Sequence, residues 1–248
     1  MIEGQTAIIE MDRAPVNAID LDFITAIIEA FRQAGADEDV RAVVLASAVP
    51  NTFCGGLDLT VMRTLTGEGF REILEKLYME LYDVQYTLGK PTIAAISGAA
   101  RAGGMTLAVS CDIILAEKGV TLGYPEVKVG IIPGIHFVHL PRQIGRHRAF
   151  ELLFSGEPIV ADDAEKLGLI NRAVYPGQAR ALAMSMARRM SSISPVVMRR
   201  GRDAFMRAND RDYRRDIGAV VDAMCALVET EDAQEGMAAF AEKRRPKW

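Results

Sequence analysis

The stretch KPTIAAISGAARAGGMTLAVSCDI, residues 90–113, contains the pattern that decides the fold. Residues 91–97 form a short apolar run of the kind found in buried strands. A run with helical spacing then begins at Gly103 and Gly104. Each glycine in a helix interior costs about 1 kcal/mol relative to alanine, so the pair indicates unusual dihedrals or a closely approached backbone. Tight helix packing and a bound oxygen both remain open at this point.

A strand, a glycine-rich turn and a helix follow one another here, so the free N–H groups of the first helical turn point at whatever lies in front of them. The spacing does not match G-x-G-x-x-G, the P-loop or the G-x-S-x-G elbow. These mismatches argue against a dinucleotide, phosphate-loop or serine-hydrolase site. The pattern still suits a negatively charged oxygen.

A second turn of this kind lies in SAVPNTFCGGLDLT, residues 47–60, again after a predicted strand. Gly55 and Gly56 precede Asp58, which can cap the helix that follows. Either turn alone is consistent with an ordinary connection between a strand and a helix. Together the two turns can supply two converging backbone donors, the minimum for an oxyanion hole.

A candidate general base lies in LGYPEVKVGIIPG, residues 122–134. Pro125 suits the first position of a helix, and Glu126 falls in the first turn, where its charge also suits the helix dipole. The flanking residues are largely apolar, and an apolar pocket raises the pKa of a carboxylate into a useful range for proton transfer. Both interpretations of Glu126, end-charge stabilisation and general base, are open from spacing alone.

The first half of the chain alternates β-rich and amphipathic runs, which predicts an α/β architecture. Strands are expected at TAIIEM, RAVVLAS, PTIAAIS, CDIILAE and GVTLGY, and a helix over DLDFITAIIEAFRQAGAD that closes at Gly35. From about residue 145 onward helical patterns predominate, with little strand between them. Apolar residues on the last helices suggest an oligomer contact; they include Met198, Phe205, Val220, Val221 and Leu227.

Composition narrows the classes of partner. The chain has 248 residues and a formal net charge of -4, which disfavours nucleic acid and anionic lipid. Its three cysteines are far apart, as expected in a reducing cytoplasm, and Cys54 has no histidine at a recognisable distance, so a packing role is expected. The N-terminus shows no signal-peptide pattern, and no apolar run approaches the roughly 20 residues of a membrane span.

Histidines provide the remaining candidate for a metal site. His136 and His139 have the i, i+3 spacing that can bind a metal, but no third ligand is evident, so packing is the favoured role. We expect no metal, nucleic-acid or membrane partner.

Six segments, in order along nearly the whole chain, resemble the enoyl-CoA hydratase/isomerase family, the crotonase superfamily. DRAPVNAI matches its R-P-x-x-N-A-L segment, FCGGLDL its F-x-x-G-x-D loop, and KPTIAAISGAARAGG its K-P-x-I-A-A-I-x-G-x-x-x-G-G run. CDI, PEVKVGIIPG and EGMAAFAEKRRP also fit. The resemblance implies a ββα spiral core over residues 1–194, a helical oligomerisation region over 195–248, and a homotrimer or a dimer of trimers.

The resemblance also implies a substrate and a site. The substrate is an acyl-CoA thioester, coenzyme A being part of the substrate, and no separate cofactor is required. The implied catalytic groups are the carboxylate of Glu126 and the backbone N–H groups of Gly55 and Gly103, which form the oxyanion hole. The implied substrate contacts are Val16, Gly55, Gly56, Leu57, Asp58, Gly103, Thr106, Phe240 and Lys243.

One departure from the family pattern bears on the chemistry. Family hydratases carry two glutamates, and Thr106 stands where the first is expected, whereas Glu126 matches the second. A threonine hydroxyl can orient water but cannot act as a base near neutral pH. The pattern therefore resembles the delta-3, delta-2 enoyl-CoA isomerases, which need one base. Hydration of a specialised enoyl-CoA with a water held by Thr106 is the alternative, and a non-catalytic thioester- or RNA-binding member is a third, less favoured by the acidic charge.

The acyl pocket is expected to be unusual. GIHFVHLPR, residues 134–142, stands where the resemblance leads us to expect a glycine-rich segment in hydratases. Chain length and shape of the acyl group do not follow from the sequence.

Overall fold

The computed structural model describes residues 1–65, 67–209 and 212–247. The strands are β1 (Ile2–Glu3), β2 (Thr6–Met11), β3 (Ala42–Ser47), β4 (Thr52–Cys54), β5 (Thr92–Ile96), β6 (Ala99–Arg101), β7 (Ile113–Glu117), β8 (Thr121–Gly123), β9 (Ile159–Val160) and β10 (Arg172–Val174). The helices are α1 (Leu21–Ala36), α2 (Leu59–Met62), α3 (Gly67–Glu75), α4 (Leu81–Thr87), α5 (Gly103–Val109), α6 (Gly134–Ile144), α7 (Arg146–Ser155), α8 (Ala161–Leu167), α9 (Ala179–Ser191), α10 (Pro195–Asn209), α11 (Tyr213–Val228) and α12 (Glu231–Ala241). A π-helical segment, Lys76–Glu80, joins α3 to α4, and a 3-10 helix, Pro125–Val129, follows β8.

Two sheets form the frame of the molecule. The larger has the strand order β1-β2-β3-β5-β7-β10, with β1 antiparallel and the other neighbours parallel. The smaller has the order β4-β6-β8-β9, in which β4, β6 and β8 are parallel. Successive pairs of strands, β3 and β4, β5 and β6, β7 and β8, add one strand to each sheet before the chain turns into helix. This repetition is a ββα spiral, and it confirms the expected α/β fold.

Apolar side chains fill both faces of the larger sheet. Val43 and Leu45 of β3 belong to the main core with α1 and the α3–α4 segment, whereas Val44 faces the opposite side and packs with α9. This alternation follows from the two-residue period of a strand. The side of α9 that meets the sheet carries small residues, Ala179, Ala183 and Ala187, all fully buried.

Lys90, at the start of the stretch that decides the fold, closes the end of α1. Its ammonium group is buried and donates to three carbonyl groups of the last turn of α1 and the residue after it, at 2.6 to 2.9 Å. The helix extends to Ala36, one residue beyond the expected end at Gly35, because Gly35 keeps helical dihedrals. A side chain there would lie 2.9 Å from Leu88, so packing explains that glycine.

The C-terminal part follows the expected helical pattern and differs from the expectation at Val221. β9 and β10 are edge strands of two and three residues that lie between the expected helices, as fits the expectation of little strand in this part of the chain. Val221, which we expected at an oligomer contact, is fully buried within the protomer core, whereas Phe205 is exposed. Helices α10–α12 form as expected, and the division between residues 194 and 195 stays a prediction. Over the three described ranges, no helix is both long and apolar enough to span a membrane.

Candidate active site

The two glycines at the start of α5 have different roles. Gly103 is the first residue of α5, so its N–H has no acceptor within the helix, and the described residues provide none elsewhere. A side chain on Gly104 would lie 2.3 Å from the carbonyl oxygen of Cys54. The second glycine therefore lets α5 approach β4. Packing therefore explains Gly104, and the free N–H of Gly103 is available to a bound oxygen, which stays a prediction.

The hydrogen bonds of the turn after β4 differ from those of the expected oxyanion hole. The N–H of Gly55 donates to the carbonyl of Val16 at 2.8 Å, so this group is already used and the prediction that it serves as an oxyanion donor is wrong. Two further bonds pair Ile19 with Leu57: the N–H of Ile19 donates to Gly56, and that of Asp58 donates to Ile19. In such a parallel bridge the N–H of Leu57 itself points to the other side.

The N–H of Leu57 has no acceptor within the described part of the chain. The turn lies directly against the start of α5, since a side chain on Gly56 would lie 3.4 Å from the backbone nitrogen of Gly103. Gly56 has a φ of 97°, a conformation that favours glycine. Leu57 and Gly103 thus provide the two free donors on adjoining segments. The pairing of Ile19 with Leu57 decides which N–H of this turn is free, and no sequence pattern indicates that pairing.

Buried polar side chains fix this turn in place. The amide of Asn17 donates to the carbonyl of Phe53 at 2.9 Å and to Ser47 at 2.8 Å, and the thiol of Cys54 donates to the Asn17 carbonyl at 3.0 Å. Burial raises the pKa of the Cys54 thiol to about 12, as fits a packing residue. Asp58 accepts from the N–H groups at the start of α2, as a cap should. The role of Asn17 was not recognised from sequence.

Glu126 lies in the 3-10 helix after β8 and is only 6% exposed. Its Oε2 atom has no hydrogen-bond partner among the described residues. Burial raises the pKa of this carboxyl to about 8. Tyr78, from the π-helical segment, and Tyr124 are also fully buried, and the pKa of each phenol is raised by burial first and then by the charge of Glu126. Glu126 therefore occupies the apolar surroundings expected of a proton carrier.

Thr106 lies within the first turns of α5 and is buried beside two histidines of α6. Its Oγ1 is 3.3 Å from Nε2 of His136, and Nδ1 of His136 is 3.1 Å from Nε2 of His139. The ring of Tyr124 meets that of His136 edge-on, with centroids 4.3 Å apart. Burial is the main cause that lowers the pKa of both histidines, so both are neutral at pH 7. Their i, i+3 spacing was the sequence feature that could have pointed to this contact.

A cavity of about 410 Å³ borders this group, with Leu77, Thr106, His139 and Arg142 among its lining residues. Leu77 also lies close to Gly103, since a side chain on that glycine would be 3.4 Å from it. The cavity thus adjoins the start of α5. In the described ranges no group of three His, Cys, Asp or Glu side chains is arranged to hold a metal ion.

The remaining expected contacts lie at the edge of the site. The side chain of Val16 packs against Gly55 and is partly exposed. Phe240, at the end of α12, is exposed, and Lys243 follows that helix with a φ of 53°. Helix α12 packs on the Glu126 segment, because a side chain on Gly236 would lie 2.5 Å from the Val129 carbonyl. Contact of Val16, Phe240 and Lys243 with substrate stays a prediction.

Comparison with known proteins gives consistent results. The model of a family described as enoyl-CoA hydratase/isomerase matches residues 2–248. Short-chain-enoyl-CoA hydratase of Clostridium acetobutylicum is 32% identical, the match covering 98% of this chain and 94% of that protein. Crotonyl-CoA hydratase of Syntrophomonas wolfei is 31% identical, with 98% and 94% covered. The crystal structure of carnitinyl-CoA hydratase from Mycobacterium avium superposes with a TM-score of 0.88 at 33% identity, over 100% of this chain and 96% of that one.

Proposed function

Because the chain belongs to the enoyl-CoA hydratase/isomerase family, we propose that it moves the double bond of a 3-enoyl-CoA thioester to the 2 position, with Glu126 carrying the proton. Membership makes the chain an enzyme of this family acting on acyl-CoA. The finer assignment is supported by one observation. Glu126 is a buried carboxylate with a free oxygen, whereas a threonine hydroxyl, that of Thr106, stands where a second carboxylate would be.

In the proposed reaction, the Glu126 carboxylate removes a proton from C2, the carbon next to the thioester carbonyl. The electron pair of that C–H bond moves to the carbonyl oxygen, giving a dienolate, which accepts hydrogen bonds from the N–H groups of Leu57 and Gly103. Glu126 then returns the proton to C4, and the double bond forms between C2 and C3. One such donor typically contributes roughly 2.7 to 4 kcal/mol, and a positioned base a further factor of about 10² to 10⁴.

The raised pKa of Glu126 determines the expected pH dependence. The reaction requires the carboxylate, and the carboxyl of the free enzyme titrates at about 8. The value of kcat/KM for a 3-enoyl-CoA should therefore increase with pH and level off above about pH 8.

Hydration of a 2-enoyl-CoA is the second candidate. Hydration is favoured by the Thr106 hydroxyl, which contacts His136 and can hold a water molecule. The relatives named as hydratases are consistent with it. In that reaction protonated Glu126 gives its proton to C2, water adds to C3, and Glu126 recovers a proton from the water. Its kcat/KM should fall above about pH 8, the opposite of the isomerase profile.

The experiment compares the wild type, Glu126→Gln and Glu151→Gln, the last replacing an exposed carboxylate on α7. Each is given a 3-enoyl-CoA while the absorbance of the conjugated thioester is followed. We expect turnover in the wild type and the control, and a loss of about 10² to 10⁴ in Glu126→Gln. Absent product in the wild type, or undiminished turnover in Glu126→Gln, rejects the proposal. A parallel incubation with a 2-enoyl-CoA, analysed by mass spectrometry for the 3-hydroxy product, selects the second candidate.

A further inference from the structure

The C-terminal helix α12 lies directly on the segment that follows Glu126. A side chain on Gly236 of α12 would lie 2.5 Å from the Val129 carbonyl oxygen and 2.8 Å from the backbone nitrogen of Gly130. Gly236 is buried. An added carbon atom at such distances forces the two backbones apart. Only glycine at position 236 therefore allows α12 to lie this close to the segment.

The contact is formed from both sides. Gly130 has a φ of 78°, a conformation that favours glycine. A side chain on Gly130 would lie 2.7 Å from the carbonyl oxygen of Asp232 and 2.8 Å from Cα of Ala233. Asp232 and Ala233 belong to the first turn of α12, one turn before Gly236. The two segments thus meet backbone to backbone, with no flexible side chain between them that could move aside.

The same contact reaches Glu126 through a hydrogen bond. The N–H of Gly130 donates to the carbonyl of Glu126, which ends the 3-10 helix. The N–H of Ile131 donates to the same carbonyl at 3.2 Å. The nitrogen of Gly130 is also one of the atoms that a side chain on Gly236 would meet. Any movement of α12 at this point therefore acts on the backbone of Glu126.

The backbone matters here because the carboxylate has little else to hold it. Oε2 of Glu126 has no hydrogen-bond partner in the described ranges. The titratable groups whose charge interacts with Glu126 are the phenols of Tyr78 and Tyr124, both of them buried. The outer side of the 3-10 helix carries Lys128, whose ammonium pairs with Glu157 at 2.6 Å. The position of the carboxylate thus follows from the packing of the 3-10 helix.

We propose that α12 positions the Glu126 carboxylate through the contact of Gly236 with Gly130. These two glycines are positioning residues, since they act through Glu126 and not on a substrate. The consequence for proton transfer rests on the proposed function, whereas the effect on the surroundings of Glu126 does not. Helix α12 thus has a role in the site of its own chain, besides any part of residues 195–248 in oligomerisation.

Gly236→Ala tests the proposal without turnover. The two backbones must separate, so water should reach Glu126, and its pKa should fall from about 8 toward the ordinary 4.5. Carbon-13 NMR of protein labelled at the glutamate carboxyl groups follows this titration, and Glu126→Gln assigns the signal. Gly35→Ala is the control, because its side chain would lie 2.9 Å from Leu88, within the packing of α1. This control should keep the pKa of Glu126. An unchanged pKa in Gly236→Ala overturns the proposal.

Turnover of a 3-enoyl-CoA gives a second measurement on the same variant. Gly236→Ala should lower kcat by about 10²-fold, the usual effect of a 1 Å misplacement, and move the rise of kcat/KM to lower pH. A lower kcat with the pH profile of the wild type would indicate general loosening and overturn the proposal. If the wild type does not convert 3-enoyl-CoA but the pKa falls in Gly236→Ala, only the proposed function fails.

A pair of variants at Thr230 covers the case in which Gly236→Ala does not fold. The Thr230 hydroxyl caps α12 by accepting from the N–H of Ala233 at 3.3 Å, and Ala233 is one of the residues against Gly130. Thr230→Ala removes the cap, so the first turn should loosen, the pKa of Glu126 should fall and kcat should decrease several fold. Thr230→Ser keeps the cap and should retain both values. If the two variants have the same pKa of Glu126 and the same kcat, α12 does not position Glu126.

Discussion

At the scale of single residues, the position of Glu126 affects folding as well as chemistry. A buried carboxylate without a hydrogen-bond partner on Oε2 is costly when charged, so the folded protein favours its protonated form. The folded pKa of about 8 lies above the ordinary value of 4.5. The contribution of Glu126 to the free energy of unfolding is therefore fully present below about pH 4.5 and is lost as pH rises through about 8.

Glu126→Gln should remove this pH dependence. Between pH 7 and 8.5, above the ordinary histidine pKa of about 6.5, the wild type should lose up to about 1.4 kcal/mol of unfolding free energy per pH unit relative to the variant. Urea denaturation of both proteins across that range measures the difference, and Glu151→Gln should follow the wild type. If the wild type and Glu126→Gln change in parallel with pH, Glu126 does not titrate as the structure indicates.

Sequence reasoning selected Glu126, Gly103 and Thr106 as candidates. Glu126 has apolar flanks, Gly103 lies in a glycine-rich turn, and Thr106 departs from the motif of the family that the chain resembles. The same reasoning assigned the wrong N–H in the first turn, choosing Gly55 instead of Leu57. That choice depends on the hydrogen bond from Gly55 to Val16, a contact between segments about 40 residues apart. The contact of Thr106 with His136 is likewise long-range. Contacts between such distant segments produce no repeating pattern in the sequence.

At the scale of elements, the closest approach at the site is that of α5 to β4. Gly104 faces the Cys54 carbonyl, and the backbone of β4 cannot move aside without disturbing its pairing with β6. Gly104→Ala should therefore destabilise the protein by about 3 kcal/mol, at the upper end of the usual cost of overpacking, and lower the melting temperature by several degrees. The start of α5 would shift, and the Gly103 N–H with it, so turnover should fall too.

Gly201→Ala is the matched control for this prediction. Gly201 lies inside α10, and no atom lies within 4 Å of the position its side chain would take. Alanine there should be neutral or stabilise by about 0.5 to 1 kcal/mol. Equal melting temperatures for Gly104→Ala and the wild type would mean that α5 does not pack on β4 as described.

Elements with a clear hydrophobic pattern were predicted well, whereas short elements that depend on contacts with neighbouring elements were not. Helix α1 and strands β2, β3, β5 and β7 lie within a residue or two of the expected bounds. The π-helical segment that carries Tyr78 lies in a part of the chain for which the sequence analysis predicted no element. The edge strands β9 and β10 form because longer strands beside them leave hydrogen-bonding groups free.

At the scale of the whole molecule, the spiral places the free donors and the proposed proton carrier on successive turns. Leu57 follows β4, Gly103 follows β6, and Glu126 follows β8, and these three strands are neighbours in the smaller sheet. Because parallel neighbours end at the same edge of a sheet, the three groups emerge on one side of it. The fold thus explains how residues spread over about 70 positions of sequence can contribute to the proposed site.

The outer surface of α10 provides the last prediction. Val196, Val197 and Phe205 are each more than 60% exposed, which for three large apolar side chains on one helix favours a covered surface in the assembled protein. We expect light scattering after size exclusion to give three or six times the chain mass of 27.1 kDa. Replacing Val197 and Phe205 together by glutamate should lower that mass, since two charges would be buried unpaired in the contact. Tyr175→Ser, at an exposed aromatic residue outside the helical region, should leave it unchanged. A monomeric wild type, or an assembly broken by Tyr175→Ser but not by the α10 variant, would contradict a role of residues 195–248 in oligomerisation.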